Sequence, residues 1–202
     1  MKKTFIYLFF LMFFISLQVL AENLPQKTIL NLNKAFRGET NAAHRYELYA
    51  QKADKEGYYQ VGKLFRAISM AESIHRNNHR AAILNIGGKP DVIEYDKVTV
   101  ASTKENLKYQ IQGENYENKK MYPSFIKQAK IDKANQAVTS FTYARDTEIQ
   151  HAKLVKEALA NLGKNKTMSY CVNRISGATT EIIPSGKCPS KTYPVEQYIK
   201  IK

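Results

Sequence analysis

The sequence predicts a mainly α-helical protein: a bundle of four long helices with a long crossover between the second and third, followed by a small β-rich C-terminal module. Three observations carry this. Four stretches between residues 24 and 163 repeat apolar side chains at helical spacing. About 14 residues rich in β-branched side chains separate the middle two. The tail beyond Gly163 alternates turn residues with short β-forming runs. Composition agrees, since 44% apolar and 24% charged residues among 202 are globular values that exclude a disordered or fibrous chain. Two cysteines are too few for a disulfide-dense scaffold or a four-cysteine metal site. The net charge of +13 is the unusual number, and it asks for an anionic partner such as nucleic acid or a membrane surface.

Residues 1–21 stand apart. Lys2 and Lys3 precede an uncharged run from Phe5 to Ile15, and Val19-Leu20-Ala21 puts small or modest residues before a cut after Ala21. That is the build of a secretory signal peptide. The alternative, a retained membrane anchor, has only 17 residues from Phe5 to Ala21, against about 20 for a bilayer span. The sequence thus predicts an exported, periplasmic protein with a signal peptide at 1–21, a helical domain at 22–163 and a tail module at 164–202. The mature chain carries 29 bases against 18 acids, a net +11, and export places Cys171 and Cys188 where disulfides persist.

In the first helix, from Leu24 to about Asp54, the stripe is Leu32, Phe36, Ala43, Tyr46 and Ala50, with Glu39 in its middle. The second, about Tyr58–Ile86, runs Val61, Phe65, Ile68, Glu72, His75, His79, Ala82 and Ile86, and Gly87-Gly88-Lys89-Pro90 stops it. Ser102 with Glu105 reads as a capping box opening the third, whose stripe is Leu107, Ile111, Glu114, Glu117, Met121 and Phe125. The fourth carries Val138, Phe141, Ala144, Glu148, His151, Val155, Leu159 and Leu162, and ends at Gly163. Four such helices with one long crossover match a ferritin-like bundle.

Every stripe therefore turns a carboxylate toward the core. A buried, unpaired carboxylate is costly enough to protonate or find a partner. No lysine or arginine shares these stripes, so ion pairing does not explain them. Five glutamates and two histidines on converging faces are better satisfied by bound cations, and seven ligands exceed what one ion needs. Oxygen donors with some imidazole suit iron or manganese better than zinc.

The pattern also repeats. Gly38-Glu39 is followed 33 residues later by Glu72-Ser73-Ile74-His75, and Gly113-Glu114 is followed 34 residues later by Glu148-Ile149-Gln150-His151. Glu-x-x-His places both side chains on one helix face. A lone Glu from one helix and the pair from the next, twice over, is the ligand set of a di-iron carboxylate bundle.

From Ala35 to about Gly163 these residues resemble the rubrerythrin family. The resemblance rests on Phe36-Arg37-Gly38-Glu39 through Tyr46, on Ala71-Glu72-Ser73-Ile74-His75, on Gly113-Glu114-Asn115-Tyr116-Glu117-Asn118 leading to Met121-Tyr122-Pro123, and on Glu148-Ile149-Gln150-His151. It implies two iron ions per chain, bridged by Glu72 and Glu148, with Glu39 and Glu114 as terminal ligands and His151 on one iron. The other iron would move between Glu117 and His75 with redox state. It also implies that Tyr46 and Tyr122 hydrogen-bond the metal carboxylates, and that the reaction is reduction of hydrogen peroxide to water in oxidative-stress defence. The ions supply the electrons while the protein supplies pocket and proton donors.

The tail departs from the family, whose members usually end in a rubredoxin module with two Cys-x-x-Cys knuckles. Here Cys171 and Cys188 keep the first position of each, while Arg174 and Lys191 occupy the second. Two thiolates beside two cations cannot build a four-sulfur iron site, so no such iron is expected, and a Cys171–Cys188 disulfide is predicted in its place. Electrons would then come from a separate donor protein. A basic surface fits an acidic donor or an anionic membrane better than nucleic acid. The family resemblance also implies a homodimer. A ferroxidase or iron-storing protein of ferritin type is the alternative function. A DNA-protecting protein, suggested by charge alone, is disfavoured by export. His79, one turn beyond His75, is read as lining the pocket, and His44 as solvent-exposed.

Overall fold

The computed structural model describes residues 24–202. The predicted signal peptide lies outside these residues, and among them no helix is long and apolar enough to cross a membrane.

Helix α1 (Gln26–Lys55) and α2 (Tyr59–Asn85) form an antiparallel pair joined at Gly57. Gly57 takes φ +81°, and Tyr58 N–H reaches back to the Ala53 carbonyl at 2.8 Å. The same device ends α2: Gly87 has φ +81°, Gly87 N–H donates to Leu84 O, and Gly88 N–H donates to Ile83 O at 2.8 Å. This is a six-to-one closure that a left-handed glycine permits.

The crossover from Gly88 to Ser102 has no regular structure but is tied down along α1. The Asn33 side chain donates to Lys89 O and accepts from Asp91 N–H, and Asn41 Oδ1 accepts from Asp96 N–H at 2.9 Å. The crossover also covers His44, which is half-buried and stacked on Tyr95 at 4.4 Å between ring centres rather than free in solvent.

The third helix opens as the sequence predicts, with Ser102 Oγ accepting from Glu105 N–H at 3.3 Å. It is not one continuous α-helix. Helix α3 (Thr103–Tyr116) passes into a π turn over Glu117–Met121, where Tyr122 N–H bonds the Glu117 carbonyl, before α4 (Tyr122–Ile131). The extra residue matters for placement. Eight residues separate Glu114 from Tyr122, which a regular α-helix would leave about 80° out of line. The π turn absorbs one residue, and both side chains face inward and are 2% and 0% exposed. A turn at Lys133, the one non-glycine with positive φ among the described residues, leads to α5 (Asn135–Ala160).

Two apolar clusters fill the bundle. One contains Tyr46, Leu64, Phe65, Ile68, Leu107 and Val155; the other contains Leu32, Phe36, Ile83, Tyr122, Phe125 and Phe141. On α1, α2, α3 and α5 the buried glutamate and histidine positions fall between a residue of one cluster and a residue of the other. The charged layer is thus sealed by oil above and below, where local dielectric is low.

The module is a three-stranded antiparallel sheet in the order β2-β1-β3, from β1 (Ser169–Asn173), β2 (Thr179–Ile182) and β3 (Tyr198–Ile201). Cys171 of β1 is bonded to Cys188, with Cα atoms 5.6 Å apart. Tyr170 and Val172 extend the first apolar cluster, and Gln60 and Lys63 of α2 hydrogen-bond Tyr170 and Met168. These contacts hold the β1–β2 turn against the bundle.

Candidate metal centre

Seven residues were singled out as ligands, and six converge in two overlapping sets. Glu39, Glu72, His75 and Glu148 form one; Glu72, Glu114, Glu148 and His151 form the other. Within each set one donor atom from every residue lies within 4.8 Å of the rest, and all six residues are buried. Glu72 and Glu148 belong to both. Glu117 stands outside these sets; it sits at the start of the π turn, half-buried, near enough to Glu39 to raise that carboxyl's pKa.

The histidines present defined faces. His75 Nε2 lies 3.0 Å from the Ser176 carbonyl, which can only accept, so that nitrogen carries the proton. His151 Nε2 lies 3.3 Å from Thr179 Oγ1, whose own proton goes to Gly177 O. Both Nδ1 lone pairs therefore turn to the carboxylates, at 2.8 Å from Glu72 Oε2 for His75 and 2.9 Å from Glu148 Oε2 for His151. An acceptor facing an acceptor at that distance needs a proton or a cation between them. Burial and the neighbouring acids Glu72 and Glu117 push Glu39 well up, and burial with Glu72 and Glu114 does the same to Glu148. Burial also acts to raise Glu72, but His151 and His75 outweigh it and hold that carboxyl down at about 2. Two further oxygens, Glu114 Oε2 and Glu148 Oε1, are buried without any hydrogen-bond partner. Orphaned acceptors, bare imidazole nitrogens and crowded acids in one dry layer are what a pair of cations would satisfy.

The tyrosines fall where expected. Tyr46 donates to Glu114 and Tyr122 to Glu39, each from a hydroxyl whose pKa burial and the adjacent carboxylates drive far up. Five contributors were not visible in the sequence. The Ser176 carbonyl and Thr179 hydroxyl arrive from the module, and Thr147 Oγ1 also donates to Ser176 O at 3.2 Å. Gly177 (φ +78°) passes so close that a Cβ there would lie 2.4 Å from His75 Nε2. Finally, Ser140 Oγ lies 2.7 Å from His79 Nδ1.

The family model described as Rubrerythrin matches residues 31–159, well over half of the chain. The chain belongs to the rubrerythrin family. Rubrerythrin-2 of Clostridium acetobutylicum is 34% identical over 145 residues, covering 68% of this chain and 75% of that protein. A putative rubrerythrin of Methanocaldococcus jannaschii is 28% identical over 191 residues, covering 88% and 93%. Among solved structures, a nigerythrin in a mixed-valence state aligns with a TM-score of 0.76 at 29% identity over 86% of each chain. Family membership and the two carboxylate–histidine sets together support a di-iron redox site in this rubrerythrin-family chain.

Proposed function

We propose that this protein is an exported di-iron peroxidase that reduces hydrogen peroxide to water with electrons from a separate donor protein. The observation that carries it is the sharing of Glu72 and Glu148 between two complete donor sets. Two ions held by common carboxylates are neighbours, and a pair of ferrous ions supplies the two electrons that O–O cleavage consumes. Glu72 and Glu148 would bridge, Glu39 with His75 and Glu114 with His151 would complete the two ends, and Glu117, on its compliant π turn, would be the exchangeable seventh ligand. The dry apolar clusters above and below exclude water. Tyr46 and Tyr122 hold protons at the carboxylate edges. The Ser176 and Thr179 oxygens fix the imidazole orientations, as partners of metal-bound histidines do.

Both cysteines are joined in one disulfide, which supports electron entry from outside the chain rather than from an iron in the module. The excess of bases over acids in the full sequence, 31 against 18, favours an acidic donor. A homodimer is part of the same proposal. Export rests on the charge and apolarity of residues 1–21, and a disulfide fits that compartment. Manganese is the other ion this donor set suits.

Anaerobic rapid mixing of the diferrous protein with peroxide and with dioxygen tests the activity. Faster two-electron oxidation by peroxide is expected; equal or slower reaction than with dioxygen would refute it. Iron uptake separates it from the storage alternative, which accepts many ions per chain where the peroxidase stops near two.

A further inference from the structure

His79 is fully buried, is absent from both donor sets, and is used by nothing described so far. Its ring packs between Tyr122 and Phe141, with centroids 5.9 and 5.5 Å away. Both nitrogens are engaged: Nε2 lies 3.1 Å from the Tyr122 hydroxyl and Nδ1 lies 2.7 Å from Ser140 Oγ. The direction of these bonds follows from proton count. Tyr122 spends its one proton on Glu39, so its oxygen accepts from His79 Nε2–H. Nδ1 is then bare and accepts from the Ser140 hydroxyl. Ser140 in turn lines a surface pocket of about 470 Å³ with Asn78, Asn135, Gln136, Thr139 and Tyr143. All the donors point the same way, from the surface to Glu39.

We propose that Ser140, His79 and Tyr122 form a proton relay that delivers protons from the Ser140 pocket to the metal centre. This rests on the peroxidase function, in which H2O2, two electrons and two protons give two waters. The electrons come from the external donor protein by way of the metal pair; the protons must cross a sealed layer. In one passage a hydronium ion in the pocket protonates Ser140 Oγ, leaving water, as the Ser140 proton moves to His79 Nδ1. The Nε2 proton moves to the Tyr122 oxygen, and the Tyr122 proton passes to Glu39, which hands one proton on to the peroxide oxygen. One proton enters, one leaves, and no relay member ends with a changed charge. His79 ends as the other tautomer and must regain its Nε2 proton before the next passage. Tyr122 acts through the ligand Glu39 to which it donates, and His79 and Ser140 act through Tyr122.

Two experiments decide it. In the metal-free protein, nitrogen NMR of labelled histidine is expected to show His79 neutral with its proton on Nε2, and Ser140→Ala is expected to slow exchange of that proton with solvent at least about tenfold. A proton on Nδ1 instead, or unchanged exchange in Ser140→Ala, would overturn the relay whatever the loaded enzyme does. In the iron-loaded protein, Ser140→Ala and His79→Phe are expected to keep two irons yet slow oxidation by peroxide about tenfold or more, at the low end of what a positioned proton donor contributes. Their solvent deuterium isotope effect should rise, and Ser140→Thr should restore the rate. Equal rates and isotope effects in wild type and Ser140→Ala would refute the relay alone; a wild type inert to peroxide would refute the peroxidase function.

Discussion

The two halves of the centre share two carboxylates and differ in what stands behind them. Each half has a terminal glutamate held by a tyrosine from the opposite repeat: Tyr122 on Glu39, Tyr46 on Glu114. Behind Tyr46 come Gln110 and then Arg45, whose Nε donates to Gln110 Oε1 at 3.1 Å. An amide and a guanidinium donate hydrogen bonds but do not readily give up protons near neutral pH. Behind Tyr122 come an imidazole and a hydroxyl, each of which can accept one proton while donating another. Burial, with His75 adding to the effect, keeps His79 uncharged and pulls the His79 pKa down to about 3. A nearly symmetric site thus has one side built to hold protons still and one side built to pass them.

The largest expected effect attacks what the halves share. Glu72→Ala removes a donor from both sets, so metal analysis should fall from about two irons per chain to fewer than one, with peroxide reactivity lost. Retention of two irons would mean the sets do not overlap as described. The next separates the halves: Tyr122→Phe should slow oxidation by peroxide about tenfold or more, whereas Tyr46→Phe should change it by about threefold or less. Equal effects measured by stopped flow would erase the distinction between the two sides.

Smaller effects come from the module that braces both histidines. Replacing Cys171 and Cys188 together by alanine opens a 17-residue separation, which should cost about 3 kcal/mol in denaturant unfolding of the oxidised protein. Gly177→Ala forces a Cβ against His75 and a left-handed backbone on alanine. It should cost about 1–2 kcal/mol and weaken iron binding about tenfold. The loss should fall first on the His75 side, seen as two separated steps in an iron titration where wild type shows one.

The donor residues were legible in the sequence because each interrupts an apolar stripe on a long helix. Glu39, Glu72, His75, Glu114, Glu148 and His151 could be placed on facing surfaces by periodicity alone, and the two Glu-x-x-His pairs gave the internal repeat. The π turn at Glu117–Met121 was not legible, since one extra residue in a turn leaves no compositional mark. Its consequence is that Glu117 and Tyr122 do not follow the register that a single α-helix over the third stripe implied. His79 was visible as a pocket residue, but its partner Ser140 lies 61 positions away on another helix. Ser176, Gly177 and Thr179 were hidden for the same reason: a turn in the tail reaches the histidines only because β1 packs on α2. The missing second cysteine of each knuckle showed that the tail had changed its chemistry, and the disulfide the sequence predicted is present.

The central claim is that the two sets hold a coupled pair of irons. Anaerobic titration of the metal-free mature protein with Fe(II), followed by oxidation and Mössbauer spectroscopy, tests it most directly. The account predicts a break at two irons per chain and an antiferromagnetically coupled diferric pair. A break at one iron, uptake continuing far beyond two, or two magnetically isolated ferric ions would contradict it.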